Sequence, residues 1–131
     1  MHDFRWPAVV TLAVLVLHFM LAWNVGRARG KYGIRAPAVS GNPDFERVFR
    51  AQMNTVENTL MFLPALWLFA AFVSGLWSAA LGAVWVVARA WYAVAYTQNA
   101  ARRGPAFVLS SLVFVVLTLG AAWGVAKAFM Q

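Results

Sequence analysis

The sequence predicts an all-α integral membrane protein built as a bundle of four transmembrane helices. Three observations carry that prediction. The 131 residues are 63% hydrophobic and 11% charged, against roughly 45–50% and 25% in an ordinary soluble domain. Two long runs, 6–26 and 105–126, hold no charge, and an uncharged stretch from 58 to 88 lies between them. Seven Trp and ten Phe accompany a complete lack of Cys. A chain this short cannot hide so much apolar surface in a water-facing core, because small domains bury the smaller share of their surface. Disorder is excluded by the same composition, and a disulfide scaffold by the missing cysteines.

The first span is predicted over 6–26. Its 21 residues meet the roughly 20 that a helix rising about 1.5 Å per residue needs to cross the hydrocarbon core. It reads as a span and not as a removed signal peptide, since it has no small-x-small cleavage site and ends in Arg27, Arg29 and Lys31. A loop over 27–43 follows, with three Gly and two Pro. The uncharged 31 residues of 58–88 are too many for one ordinary span and too few for two. Their flanks divide them. Asn42 can cap a helix, Pro43 suits a first turn, and Asp44 and Glu46 favour the positive helix end. Ser74-Gly75 reads as a break, so the second and third spans are predicted over 44–74 and 76–101. Pro64 is expected to bend the second. The fourth, 105–127, carries Gly120-Ala121-Ala122-Trp123-Gly124. That small-residue spacing lets helices approach closely, and as a lone motif it reads equally as an interface or as coincidence. The chain is expected to form one membrane domain over 1–131, with no soluble domain and no internal repeat.

The formal net charge is +7. In a soluble protein that balance would suggest nucleic acid; here the basic residues act as topology markers and no nucleic-acid partner is expected. Of eleven Lys/Arg, eight (Arg27, Arg29, Lys31, Arg35, Arg47, Arg50, Arg102 and Arg103) flank the first and third connections. Arg5 and Lys127 lie on the other side, and Arg89 lies within a span. This excess puts those connections in the cytoplasm and both termini outside, in a bacterial inner membrane or its equivalent.

Polar residues inside the spans are costly and call for a partner or a purpose. Arg47, Arg50, Asn54 and Glu57 are spaced 3, 4 and 3 apart, which puts them on one stripe of the second helix. Arg89, Tyr92, Tyr96 and Arg103 form a similar stripe on the third. The two helices are antiparallel neighbours, and counting inward from the basic side sets Glu57 and Arg89 at similar depth, with Asn54 and Arg50 facing Tyr92 and Tyr96. Two readings compete. Glu57 and Arg89 neutralise each other and glue two helices. Alternatively, the surplus of donors builds a polar cavity, open to the cytoplasmic face, for an anionic polar ligand. Arg47, Arg102 and Arg103 also read as snorkelling ends. Trp67, Trp77, Trp85, Trp91 and Trp123 read as interfacial anchors or lipid-facing packing, and His18 as a hydrogen-bonded core residue. His2 falls in the terminus. Neither a His pair nor a His–carboxylate pair has metal-ligand spacing, so no metal is expected.

Two segments carry a family resemblance. Phe45-Glu46-Arg47-Val48-Phe49-Arg50-Ala51-Gln52-Met53-Asn54-Thr55-Val56-Glu57 closely resembles the second-helix signature of the MAPEG family, the membrane-associated proteins in eicosanoid and glutathione metabolism. Ala88-Arg89-Ala90-Trp91-Tyr92-Ala93-Val94-Ala95-Tyr96, followed by Arg103, is similar to the third-helix segment of its microsomal glutathione transferase and cysteinyl-leukotriene synthase branch. The resemblance covers essentially the whole chain. It implies a homotrimer of four-helix subunits that binds glutathione between neighbours near the cytoplasmic side. By position, Arg50, Asn54, Glu57, Tyr92 and Tyr96 would hold the peptide. Arg29 and Gln52 match positions contributing to the same site from the adjacent subunit. Arg103 matches the arginine that stabilises the glutathione thiolate, an arginine that the non-catalytic activating-protein branch lacks. Asn58 departs from the pattern, where a tyrosine often follows the glutamate.

The expected function is therefore a membrane glutathione S-transferase that joins the thiolate to hydrophobic electrophiles and also reduces lipid hydroperoxides. Glutathione serves as co-substrate, in detoxification or lipid metabolism. The electrophile, a hydrophobic small molecule or lipid, is expected to arrive from the membrane along a groove beside the fourth helix, lined by Ser110 and Phe114. Two alternatives come from other classes: a non-catalytic lipid-binding scaffold of the same fold, and a small proton-coupled transporter using Glu57.

Overall fold

A computed structural model describes residues 3–131 of the chain, so that His2 lies outside the described residues. Among these there are four long helices, α1 (Arg5–Tyr32), α2 (Pro43–Phe72), α3 (Gly75–Gln98) and α4 (Gly104–Phe129), and a single-turn 3-10 segment over Ala100–Arg103 before α4. All four helices are long and apolar enough to cross a membrane. α2 and α3 pack on each other, and α1 and α4 each pack on both.

Local chemistry sets the helix ends. The Asn42 side chain accepts from the backbone N–H of Asp44 (2.9 Å) and Phe45 (3.2 Å) and starts α2, with Pro43 in its first turn. Ser74 accepts from Trp77 N–H at 3.2 Å and starts α3. α1 runs to Tyr32, past the end expected at residue 26, and the loop shortens to 33–42. Loss of the apolar pattern does not end the helix, since basic residues are good helix formers and suit the negative C-terminal end. Gly33 ends it at φ 68°, in the left-handed region that glycine enters without steric cost. α3 stops at Gln98, short of the 101 expected, because the Asn99 side chain takes Ala101 N–H at 3.0 Å and turns the chain. Pro64 sits inside an α2 that continues through it to Phe72.

Packing follows membrane rules. The buried face of α3 is largely small: Gly75, Ser78, Ala79, Gly82, Ala88 and Ala93. Leu12, Phe19, Trp23, Leu112, Leu119 and Trp123 point outward, as befits a bundle whose surroundings are apolar. Phe62 of α2 and Trp85 of α3 stack at the centre with ring centroids 3.9 Å apart and planes 1° apart. Trp85 is thus core and not a lipid-facing anchor, while Trp77, Trp91 and Trp123 are exposed. Trp67 donates to Thr11 Oγ1 at 3.1 Å. The small-residue motif of α4 is an interface within the chain. A Cβ at Gly120 would lie 2.4 Å from the Phe69 ring, and one at Gly124 2.8 Å from the Phe72 carbonyl.

The ends of the bundle sort cleanly. The Phe4 ring lies 6.1 Å from that of Trp67, tilted against it, and Gly124 meets the end of α2, so both ends of the described chain and the α2–α3 turn share one end. Loop 33–42 and the 3-10 turn share the other, called here the loop end. At the terminal end Arg5 donates to the Asp3 carboxylate (Nη2 to Oδ2, 2.7 Å), and that side-chain bond holds the Asp3 carboxyl below its usual range.

Candidate functional site

Polar side chains gather where α2, α3 and the start of α4 meet toward the loop end. Asn54 donates through Nδ2 to the Tyr92 hydroxyl at 2.7 Å, joining α2 to α3. Tyr92 is buried, and its ring lies 5.6 Å from that of Tyr96 one turn on. The Arg103 guanidinium sits 5.1 Å from the Tyr96 ring centroid and donates through Nη1 to the Ala100 carbonyl at 2.8 Å. Arg103 does not extend the α3 stripe as its spacing suggested. It lies in the 3-10 turn, which folds it back over Tyr96, and its side chain stays exposed. Four of its five N–H donors remain open to a ligand.

Arg89 lies deeper and is fully buried. The pairing with Glu57 is not formed. Arg89 donates to Thr55 Oγ1 at 2.9 Å and more loosely to Ser110 Oγ at 3.4 Å, and stacks over the Tyr92 ring at 4.0 Å. Glu57 is exposed on the outer face of α2. Thr55 and Glu57 are two residues apart, about 200° around a helix, so the helix face that brings Thr55 to Arg89 turns Glu57 away. Thr55 and Ser110 were missed as partners. The signal was there, since a hydroxyl on the core face of an apolar helix needs an acceptor or donor. Ser110 is accordingly a buried polar partner, not a groove lining.

The other expected site residues are spread around this cluster. Arg50 is exposed on the same face as Asn54, and Gln52 is half-buried on a different face. In one chain, the stripe of Arg50, Asn54 and Glu57 forms an open surface instead of a closed cavity. Arg29 turns back on its own loop, donating through Nη1 to Ala38 O at 2.7 Å and Ile34 O at 3.4 Å, with its guanidinium 5.1 Å over Phe45. Arg47 pairs with Asp44 and reaches the Thr97 carbonyl at 3.4 Å, tying the start of α2 to the last turn of α3. His18 meets Thr59 Oγ1 at 2.8 Å.

An apolar groove of about 530 Å³ runs between α2 and α4, lined by Met61, Pro64, Leu68, Phe114 and Thr118 among others. Phe114 lines it as expected, but the groove lies toward the terminal end. At the loop end a more polar groove of about 460 Å³ is lined by Asn24, Arg27, Lys31, Tyr32, Val48 and Thr97. No group of three or more His, Cys, Asp or Glu able to hold a metal ion occurs among the described residues.

Comparison with known proteins gives this geometry its setting. An uncharacterized protein of Synechocystis sp. is 49% identical over 119 residues, 91% of this chain and 87% of that protein. Microsomal glutathione S-transferase 2 of Homo sapiens is 37% identical over 124 residues, 95% of this chain and 84% of that protein. Leukotriene C4 synthase of Rattus norvegicus is 33% identical over 123 residues, 94% of this chain and 82% of that protein. The profile of the MAPEG family matches residues 7–123, which take in α2 and α3 whole and most of α1 and α4, and the chain belongs to that family.

Proposed function

We propose that the protein is a membrane glutathione S-transferase in which Arg103 ionises the glutathione thiol. The observation that carries this reading is an exposed arginine, with most of its donors unused, held over Tyr96 beside the Asn54–Tyr92 pair. A free thiol ionises near pH 8.5, so little of it is nucleophilic at neutral pH. A guanidinium stays protonated and favours the thiolate. The thiolate sulfur then forms its bond to the electrophilic carbon as the leaving group departs with its electron pair. Lipid hydroperoxide reduction is a second proposed activity: two glutathiones give up their thiol protons and join as a disulfide, and the hydroperoxide leaves as alcohol and water.

Arg50, Asn54, Glu57, Tyr92 and Tyr96 are proposed to hold the peptide, the arginine its carboxylates and Glu57 its amino group. Gln52 lies about 200° around α2 from Arg50, so it supports a site shared between subunits, to which Gln52 and Arg29 contribute from the neighbour. From the family resemblance we take the working unit to be a homotrimer, and we place the loop end in the cytoplasm because the basic residues cluster there. The names and similarity of the curated relatives support glutathione as the thiol. Hydrophobic electrophiles, lipids among them, would be concentrated by the bilayer beside the thiolate, and proximity would supply much of the acceleration.

Calorimetric titration with glutathione, followed by conjugation assays, tests the reading. Saturable binding and turnover are expected in the unaltered protein, with Arg103→Ala keeping binding and losing most turnover. Absence of glutathione binding would sink the reading. Retained turnover in Arg103→Ala would sink the role of Arg103.

A further inference from the structure

Arg89 is 0% exposed where α2, α3 and α4 meet. A charge buried in a membrane bundle is expensive, and ordinarily it is paired with another. Arg89 makes no ion pair among the described residues, and its Nε has no acceptor. Neutral hydroxyls and amides could join these helices without that cost, so helix gluing does not explain a cation here. What the charge does reach is the face of Tyr92, at 4.0 Å, close enough for attraction between a cation and a ring. The Tyr92 oxygen in turn accepts from Asn54 Nδ2. A phenol whose oxygen already accepts still has its own proton to give.

We infer that Arg89 is a positioning residue. Clamped by the hydroxyls of Thr55 and Ser110, it holds the Tyr92 ring so that the phenol, its oxygen engaged by Asn54, presents its proton to the polar ligand on the α2–α3 face. Arg89 touches no ligand itself and acts through Tyr92. The inference rests on the reading that this face binds glutathione.

The test is steady-state kinetics on the purified full chain, varying glutathione and chlorodinitrobenzene separately. The variants are Arg89→Met, Arg89→Lys and Ser110→Ala, each alone and combined with Tyr92→Phe. Arg89→Met is expected to raise the KM for glutathione about tenfold, in line with a desolvated contact between cation and ring, without a matching rise in the KM for the electrophile. Arg89→Lys keeps the charge and should recover part of that loss. On the Tyr92→Phe background Arg89→Met should add little, because the donor it positions is gone. A purely structural arginine would raise both KM values and add its full effect to Tyr92→Phe, and either pattern overturns the inference. If Arg89→Met does not fold, Ser110→Ala loosens one anchor and should shift the glutathione KM about twofold to threefold in the same direction; an unmoved KM there also overturns it. Glutathione binding by the unaltered protein with unshifted variants removes the inference alone. No binding by the unaltered protein removes the reading of the site as well.

Discussion

Arg103→Ala should move the pH at which bound glutathione ionises, and the size of the move can be worked out. Two unit charges about 4 Å apart interact by about 1 kcal/mol in water and about 4 kcal/mol at an effective dielectric of 20. The Arg103 side chain is exposed, so the interaction falls toward the aqueous end, at about 2 kcal/mol. At 1.36 kcal/mol per unit this lowers the thiol from about 8.5 to about 7. Near pH 7 the bound thiol is then about half ionised, against about 3% once the guanidinium is gone. The sign is definite: the thiolate lost from the unaltered protein as pH falls through about 7 is already lost from Arg103→Ala below about 8.5. The assay is the ultraviolet thiolate difference spectrum at saturating glutathione, titrated from pH 5 to 10. A midpoint that stays within a few tenths of a unit in Arg103→Ala would refute the electrostatic role, whatever happened to turnover.

Three further outcomes follow from the packing and charge pattern. Phe62→Ala empties the slot against Trp85 and should cost toward the lower end of roughly 3–5 kcal/mol, because in a bilayer the lost packing counts while transfer from water does not. Unfolding in mixed sodium dodecyl sulfate micelles measures it, and an unchanged midpoint would deny Phe62 its place in the core. Gly120→Leu drives a side chain into the Phe69 ring and should destabilise by about 1–3 kcal/mol in the same assay; neutrality would mean that α2 and α4 do not approach there. The chain has no cysteine, so Ser40→Cys and Gln131→Cys give clean single labels. In intact cells an impermeant maleimide should modify Gln131→Cys but not Ser40→Cys, and the reverse pattern would invert the proposed orientation.

The helix starts were legible because a few residues decide them locally. Asn42, with Pro43 after it, caps α2 as expected, and the break expected at Ser74-Gly75 is where Ser74 caps α3. Helix ends were harder. The uncharged run stops after Gly26, but α1 continues through the basic residues that follow to Tyr32. Asn99 ends α3 through a side-chain bond to the next turn, a competition that apolar periodicity does not register. Trp85 was misplaced for a related reason. Composition assigns tryptophan to the interface, but the face of α3 on which it falls is set by Gly82, Ala88 and Arg89, the residues that pack inward with it.

Depth and azimuth separate most sharply at Arg89. Counting from the basic ends put Glu57 and Arg89 at one level, and level alone offered their pairing as one of two readings. The rotation of α2 is instead set by its core face, the apolar Ala51, Phe62, Leu66 and Phe69 together with Thr55, all buried. With that face turned inward, Asn54 flanks it and reaches Tyr92, while Glu57 and Arg50 are left on the open surface. The same rotation gives the buried guanidinium a hydroxyl where one of the two readings put a carboxylate. It also leaves Glu57 and Arg50 unspent by internal pairing, as residues that bind the two ends of a zwitterionic peptide need to be. Arg29 is held differently, with its guanidinium on the loop carbonyls of Ile34 and Ala38. Any contribution it makes to a neighbour's site has to come from the donors those carbonyls leave free, so loop 33–42 and the ligand would be coupled through one side chain.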